Sequence, residues 1–173
     1  MSDKTYVFVD NSNIWIGGKQ IAGQQRKPRI PSNGRYRIDY GRLLEYILDG
    51  RDLADVPRLY GSEPPPNDSV WKVIRARGFT VKVFKRNIFN REKGVDMQMG
   101  LDIGRLILTS KPDGPIAIVA GDADFIPVVD EAHKAGWKVE VWYWSNCAGD
   151  LKNAVDRFES LNTVAYKIGF DQH

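Results

Sequence analysis

Segments with the pattern of a β-strand alternate with segments of helical periodicity five or six times along the 173 residues of this chain. The apolar run PIAIVAG at residues 115–121 is continuous, which is typical of a strand buried on both faces of a parallel sheet. Such alternation indicates an α/β fold whose right-handed crossovers place helices on both faces of the sheet. We therefore expect a three-layer sandwich around a central, mainly parallel sheet of five to six strands.

The composition fits one domain that comprises residues 1–173. Hydrophobic residues make up 42% of the chain and charged residues 27%, so the chain can bury a core. No apolar run approaches the roughly 20 residues that span a bilayer, and the N-terminus resembles a first strand more than a signal peptide. Cys147 is the single cysteine, so no internal disulfide can form, and we expect a cytoplasmic protein without membrane association.

Three local patterns complete the predicted organisation. Residues 19–38 are polar, basic and rich in turn formers, so we expect a long loop or hairpin there, after a short helix that stops at Gly17 and Gly18. AGDLKNAVDRFESL, at residues 148–161, has the pattern of a helix. TVAYKI, at residues 163–168, is predicted as the last strand, and together with EVWYWS it would offer an edge for a homodimer.

Two segments concentrate positive charge in a chain whose net charge is only +3. No acidic residue occurs between Asp10 and Asp39, and residues 81–94 carry Glu92 as their single acidic residue. Basic clusters attract polyanions such as nucleic acids, although two solvated loops would give the same composition. The candidates for contact with backbone phosphates are Lys19, Arg26, Lys27, Arg86, Arg91 and Lys93.

Three aspartates are predicted to converge at one edge of the sheet. Asp10 ends the first predicted strand, Asp122 follows the strand IAIVA, and Asp96 opens the helix after the strand VKVF. Because ligands of open α/β sheets bind outside the carboxyl ends of the strands, these side chains should share one crevice. Gly121 should allow a tight turn out of its strand. Each aspartate could also simply cap a helix or complement its dipole.

Converging carboxylates repel one another and raise one another's pKa values unless a cation lies between them. Magnesium and manganese prefer oxygen ligands, and no histidine or cysteine is close in sequence to the three aspartates. We therefore predict that Asp10, Asp96 and Asp122 hold Mg²⁺ or Mn²⁺. Beside basic loops, such a cation would activate a water for phosphodiester hydrolysis.

Polar residues next to the first aspartate are predicted to support the site. Asn11, Ser12 and Asn13 could orient the carboxylate, a water or a phosphate, although an ordinary helix start would look the same. Ser145, which follows the run WYW, is a weaker candidate of the same kind, and helix capping is its alternative role.

Two further aspartates receive different predictions. Asp124 should cap the helix that begins at FIPVVDEA and reach the metal through a water. Asp102 lies about 240° around the predicted helix from Asp96, so we expect it to face away from the site as a surface residue.

The segments VFVDNSNIW, KGVDMQMGLDI and AIVAGDADFIPVVDEAHKAGWKVEVW, followed by LKNAVDRFESL, resemble the NYN domains, a branch of the PIN-like nucleases. The resemblance extends from about residue 5 to residue 161, although DNSN stands where the family often has glycine after its first aspartate. It implies a PIN-like, Rossmann-related α/β fold and metal-dependent ribonuclease activity. It also implies an acidic metal-binding set of Asp10, Asp96 and Asp122, with Asp124 as a frequent fourth member and Asn13 as the polar residue after the first aspartate.

We accordingly expect a Mg²⁺- or Mn²⁺-dependent endoribonuclease that acts on single-stranded or structured RNA. Two alternatives stay open at this point. One is a PIN-like module that binds RNA or a protein without cutting, and the other is a metal-dependent phosphohydrolase for small molecules.

Overall fold

The computed structural model describes residues 4–22, 36–62, 69–84 and 93–171. The strands are β1 (Lys4–Asp10), β2 (Tyr36–Ile38), β3 (Asp52–Leu53), β4 (Arg58–Ser62), β5 (Thr80–Phe84), β6 (Ile116–Val119), β7 (Val139–Tyr143), β8 (Arg157–Ser160) and β9 (Gly169–Asp171). The α-helices are α1 (Asn11–Ala22), α2 (Tyr40–Leu48), α3 (Ser69–Ala76), α4 (Lys93–Thr109), α5 (Ile126–Lys134), α6 (Gly149–Ala154) and α7 (Ala165–Ile168). Short 3₁₀ turns span Ala123–Phe125 and Asn162–Val164.

The main sheet has the strand order β5-β4-β1-β6-β7-β8, and every neighbouring pair in it is parallel. The short strand β3 pairs with β1, while β2 and β9 form a separate antiparallel ribbon. From β1 the chain builds β4 and β5 on one side and then returns to place β6 on the other side. The carboxyl ends of β1 and β6 therefore flank a reversal of strand order, which is where open α/β sheets bind ligands.

Helices cover the sheet and complete the predicted three layers. All four residues of β6 are buried, as a central strand requires. Helix α4 packs on β1 and β4 and against α5, which in turn contacts α6 and β7. Helix α2 packs on α7, and its Tyr46 ring meets the ring of Trp142 edge-on at 5.4 Å between centroids. Within the described ranges, no helix is long and apolar enough to cross a bilayer.

The C-terminal part of the sequence differs from two predictions. Helix α6 ends at Ala154, so the helix predicted over residues 148–161 is wrong in its second half. Residues 157–160 form β8, which pairs with β7 along its whole length, and this tertiary pairing overrides the local helical pattern. Because β6 and β8 pair on either side of β7, the segment EVWYWS does not form the sheet edge that was predicted for a homodimer.

The predicted last strand TVAYKI is also wrong, because these residues form the second 3₁₀ turn and α7. Val164, Ala165 and Ile168 are buried, so the segment closes the core instead of extending the sheet. The Tyr36 hydroxyl donates a hydrogen bond of 2.6 Å to the Ala165 carbonyl and ties the β2–β9 ribbon to this segment.

Helix α1 continues past the two glycines that were expected to end it and reaches Ala22. A Cβ on Gly17 would lie 2.1 Å from the hydroxyl of Tyr143, so this glycine allows a close approach of α1 to β7. Of the basic loop or hairpin predicted at residues 19–38, residues 23–35 lie outside the described part of the chain. Residues 36–38 form β2.

Asp102 is buried, with 1% of its surface exposed, so the prediction of a surface residue is wrong. Its carboxylate accepts hydrogen bonds from the Tyr60 hydroxyl (2.6 Å), the Lys82 ammonium (2.7 Å) and the Gln98 amide (2.9 Å). Burial alone would raise the pKa of Asp102, but these hydrogen bonds more than offset it and hold the pKa below its ordinary value. Helix α4 thus attaches to β4 and β5 through one ionised side chain.

Replacing this carboxylate tests its contribution to stability. We expect Asp102→Asn to lower the free energy of unfolding at pH 7 by about 1–3 kcal/mol, because the charge-assisted bonds to Lys82 and Tyr60 are lost. The folded pKa is depressed, so the contribution is complete above the unfolded pKa of about 4 and is lost as the pH falls through the folded pKa. Urea unfolding at pH 7 and pH 3 measures both effects.

The matched control is Asp130→Asn on the exposed face of α5, which should leave the unfolding free energy within about 0.5 kcal/mol of the parent value. An Asp102→Asn effect as large at pH 3 as at pH 7 would contradict this account.

Candidate metal site

Three carboxylates form one group at the carboxyl edge of the sheet. They belong to Asp96 in the first turn of α4, Asp122 after β6, and Asp124 in the first 3₁₀ turn. One oxygen from each lies within 4.8 Å of the others. Asp96 and Asp122 are half-buried and Asp124 is exposed, so the group opens to solvent. The structure thus brings together two of the three predicted ligands, Asp96 and Asp122, and the predicted fourth member, Asp124.

The donor set fits a hard divalent cation. Oxygens on opposite sides of Mg²⁺ lie about 4.2 Å apart, given metal–oxygen distances of about 2.1 Å. Three oxygens 4.8 Å from one another lie about 2.8 Å from the point between them, so inward movements of up to about 0.7 Å would bring them to that metal–oxygen distance. The group contains no histidine or cysteine, so it suits magnesium or manganese better than zinc.

Asp122 fixes the spacing of two members of the group. Its Oδ1 accepts a hydrogen bond of 2.9 Å from the backbone N–H of Asp124, which makes Asp122 the N-cap of the 3₁₀ turn. The prediction that Asp124 would be the cap and Asp122 the ligand is therefore wrong about the cap. This hydrogen bond holds the Asp122 carboxylate against the backbone of the turn that carries Asp124.

Asp10 has a different environment from the three grouped aspartates. It is 2% exposed, and its Oδ1 accepts a hydrogen bond of 2.9 Å from the backbone N–H of Asn13, at the start of α1. Asp10 does not belong to the group in which the three oxygens lie within 4.8 Å. The structure gives Asp10 a capping role at the end of β1, and its direct contact with a metal stays a prediction.

Asn13 connects three elements around the acidic group. Its side-chain oxygen accepts a hydrogen bond of 2.8 Å from the backbone N–H of Gly121, and its carbonyl accepts one of 2.6 Å from the Tyr143 hydroxyl. These bonds join α1 to the end of β6 and to β7. Asn13 could be identified from the sequence, whereas Tyr143 could not, because an aromatic residue within the run WKVEVWYW resembles core packing and carries no motif.

Gly121 is required for a reason other than the predicted one. It is not among the glycines with positive φ, so it makes no left-handed turn. A Cβ at this position would lie 2.2 Å from two ring carbons of Tyr143. The glycine therefore lets the Tyr143 ring lie against the chain directly before Asp122.

The other predicted supporting residues form hydrogen bonds with neighbouring parts of the fold. Asn11 accepts a hydrogen bond from the Tyr40 hydroxyl, and the Ser12 hydroxyl lies 3.1 Å from a serine hydroxyl at the end of β4. The Ser145 hydroxyl accepts a hydrogen bond of 2.7 Å from the Asn162 amide. These contacts provide each residue with a structural role, and a role in orienting a ligand stays a prediction.

The predicted phosphate contacts fall largely on parts that the structure does not describe. Arg26, Lys27, Arg86 and Arg91 lie outside the described residues. For the two others, Lys19 in α1 and Lys93 in α4, the helix is described but the side chain is not.

The bond between Asn13 and Gly121 can be tested by substitution. We expect Asn13→Ala to lower the free energy of unfolding by about 1–3 kcal/mol, because the Gly121 N–H loses its acceptor. It should also weaken Mn²⁺ binding about 10- to 100-fold, as the loss of a supporting residue at a metal site typically does. Chemical denaturation and Mn²⁺ titration by calorimetry measure the two effects.

Asn153→Ala, on the exposed side of α6, is the matched control and should change neither quantity. Unchanged Mn²⁺ affinity in a folded Asn13→Ala protein would show that Asn13 does not organise the acidic group.

Comparisons with known proteins agree with this architecture. The sequence matches the profile of the NYN domain over residues 4–162. A crystal structure of a protein of unknown function, VPA0982 from Vibrio parahaemolyticus, is similar with a TM-score of 0.69 at 17% sequence identity. That similarity covers 91% of this chain and 93% of the other, and at this identity it supports the fold alone. A search of curated proteins finds no significant match.

Proposed function

Because this chain belongs to the NYN domain family, we propose that it is a divalent-cation-dependent endoribonuclease. The family points to nuclease-like activity. The observation that carries the proposal is the group of Asp96, Asp122 and Asp124, whose oxygens lie within 4.8 Å of one another at the strand-order reversal. An acidic group placed there suits a reaction in which negative charge on a phosphate must be neutralised.

In the proposed reaction, the residues in and around the acidic group have separate roles. Asp96, Asp122 and Asp124 would hold Mg²⁺ or Mn²⁺. When bound, the cation would lower the pKa of a water and neutralise charge on the scissile phosphate. Asn13 and Tyr143 keep the loop after β6 in place, so the carboxylates are organised before substrate arrives. Asp10 would act from the interior, where it fixes the start of α1.

The proposed substrate class rests on charge. We propose that the basic residues Lys19, Arg26, Lys27, Arg86, Arg91 and Lys93 bind backbone phosphates of single-stranded or structured RNA. Lys93 is the first residue of α4, one helical turn before Asp96, so its position in the chain is close to the acidic group. Phosphate contacts of this kind determine affinity and its salt dependence and do not read the base sequence.

Cleavage of an internally labelled RNA tests the proposed activity. We expect the parent protein to cut in Mn²⁺ or Mg²⁺ and to stop when EDTA removes the metal. Asp122→Asn removes a proposed ligand and should lower the rate by more than the about 10- to 100-fold that loss of a supporting residue typically causes. Asp124→Asn should lower the cleavage rate less than Asp122→Asn does, because Asp122 both belongs to the group and caps the turn that carries Asp124. Single-turnover cleavage rates from denaturing gels measure the order of activity among the parent protein and the two variants.

The control is Asp130→Asn on α5, which should cut at the parent rate. Equal cleavage by the parent and Asp122→Asn would reveal a contaminating nuclease. RNA binding without cleavage in any metal would favour a binding module. Phosphate release from mononucleotides without RNA cleavage would favour a small-molecule phosphohydrolase.

A further inference from the structure

Helix α4 presents an apolar stripe to solvent on the side opposite the sheet. Met97 is 66% exposed, Leu101 is 59% exposed and Leu108 is 86% exposed. Gly104 lies between them on the same face, whereas Val95, Met99 and Ile103 face the core. Contiguous exposed apolar surface of this kind marks an interaction site more often than isolated exposed leucines do.

The spacing of the stripe is that of a helix–helix seam. Positions 97, 101, 104 and 108 are separated by four, three and four residues, which is the a/d spacing of a heptad. A seam of this spacing faces one partner helix along its length, in contrast to the wider apolar face that a helix turns to a core.

We infer that this stripe is the interface of a two-fold homodimer in which α4 packs antiparallel on α4 of a second copy. In an antiparallel pair centred between residues 102 and 103, Leu101 faces Gly104 of the second copy, and Met97 faces Leu108. The large side chain of Leu101 thus packs against a glycine, which has no side chain. A Cβ built on Gly104 would meet nothing within 4 Å, so there is room for the incoming leucine.

Self-complementarity of this kind is what a two-fold interface requires, because each residue pair occurs twice. This self-complementarity indicates that a second copy of the chain binds the stripe, which apolar character alone would not specify. The charges beside the seam agree with the same register. Gln98 and Arg105 flank the stripe on one side, and a pairing centred between residues 102 and 103 places each Arg105 level with Gly100 of the second copy, five positions from the other Arg105.

The predicted dimer is weak and reversible. Helix α4 has 17 residues and is therefore about 25 Å long. One helix pair of this length lies at the small end of the interface range, below about 1,200 Å². Asp96 stands near the start of each α4, so the two acidic groups would lie about 20 Å apart along the seam axis. The inference does not depend on the proposed nuclease activity.

Sedimentation equilibrium of the full chain over a range of concentrations tests the interface. The parent protein should show a concentration-dependent dimer, and Leu101→Glu should raise the dissociation constant at least about tenfold. Val73→Glu on α3 is the matched control, because Val73 is an apolar residue that is 56% exposed outside the stripe. Circular dichroism melts should show both variants folded, since the substituted side chains are exposed.

A second pair of variants tests the register. Gly104→Leu adds apolar surface but places leucine against Leu101 of the second copy, so it should weaken the dimer at least about tenfold. Leu101→Ala combined with Gly104→Leu restores a small residue opposite a large one and should recover dimerisation.

Three results would overturn the inference. The first is a parent protein that stays monomeric at every concentration. The second is equal loss of the dimer in Val73→Glu. The third is a tighter dimer in Gly104→Leu, which would indicate general adhesion of an apolar surface without the proposed register.

Discussion

The hydrogen bond from the Gly121 N–H to the side chain of Asn13 is the contact on which the acidic group depends. It joins the start of α1, which follows β1, to the end of β6, across the point where the strand order reverses. Tyr143 reinforces it from β7 by donating to the Asn13 carbonyl. The bond and the ring fit together only because position 121 has no side chain. Asp122 follows directly, so its position depends on these contacts.

Parallel-sheet geometry explains what could be predicted from the sequence. Alternating strand and helix patterns determine a crossover fold, and strand ends in such a fold meet at one edge. The convergence of Asp96 with Asp122 follows from that rule without any knowledge of side-chain contacts. The same rule does not tell whether an aspartate at the edge points into the crevice or caps the next helix. Asp10 and Asp122 both cap, and the bonds that decide this depend on local backbone geometry.

The remaining differences arise from contacts distant in sequence. Asp102 is buried because Tyr60, Lys82 and Gln98 satisfy its oxygens, and two of those donors come from strands that precede α4. Residues 157–160 become a strand because β7 offers them a free edge, although their pattern favours a helix. Helical angle and periodicity describe one element at a time, so they could not anticipate either outcome.

A crystal of the protein grown or soaked with Mn²⁺ tests the central claim most directly, because anomalous scattering locates manganese without reference to activity. The account predicts one peak bounded by the carboxylates of Asp96, Asp122 and Asp124, at about 2.2 Å from their oxygens. The peak should disappear in Asp122→Asn. The absence of a peak at this edge in the parent protein, or a peak that persists there in Asp122→Asn, would contradict the account.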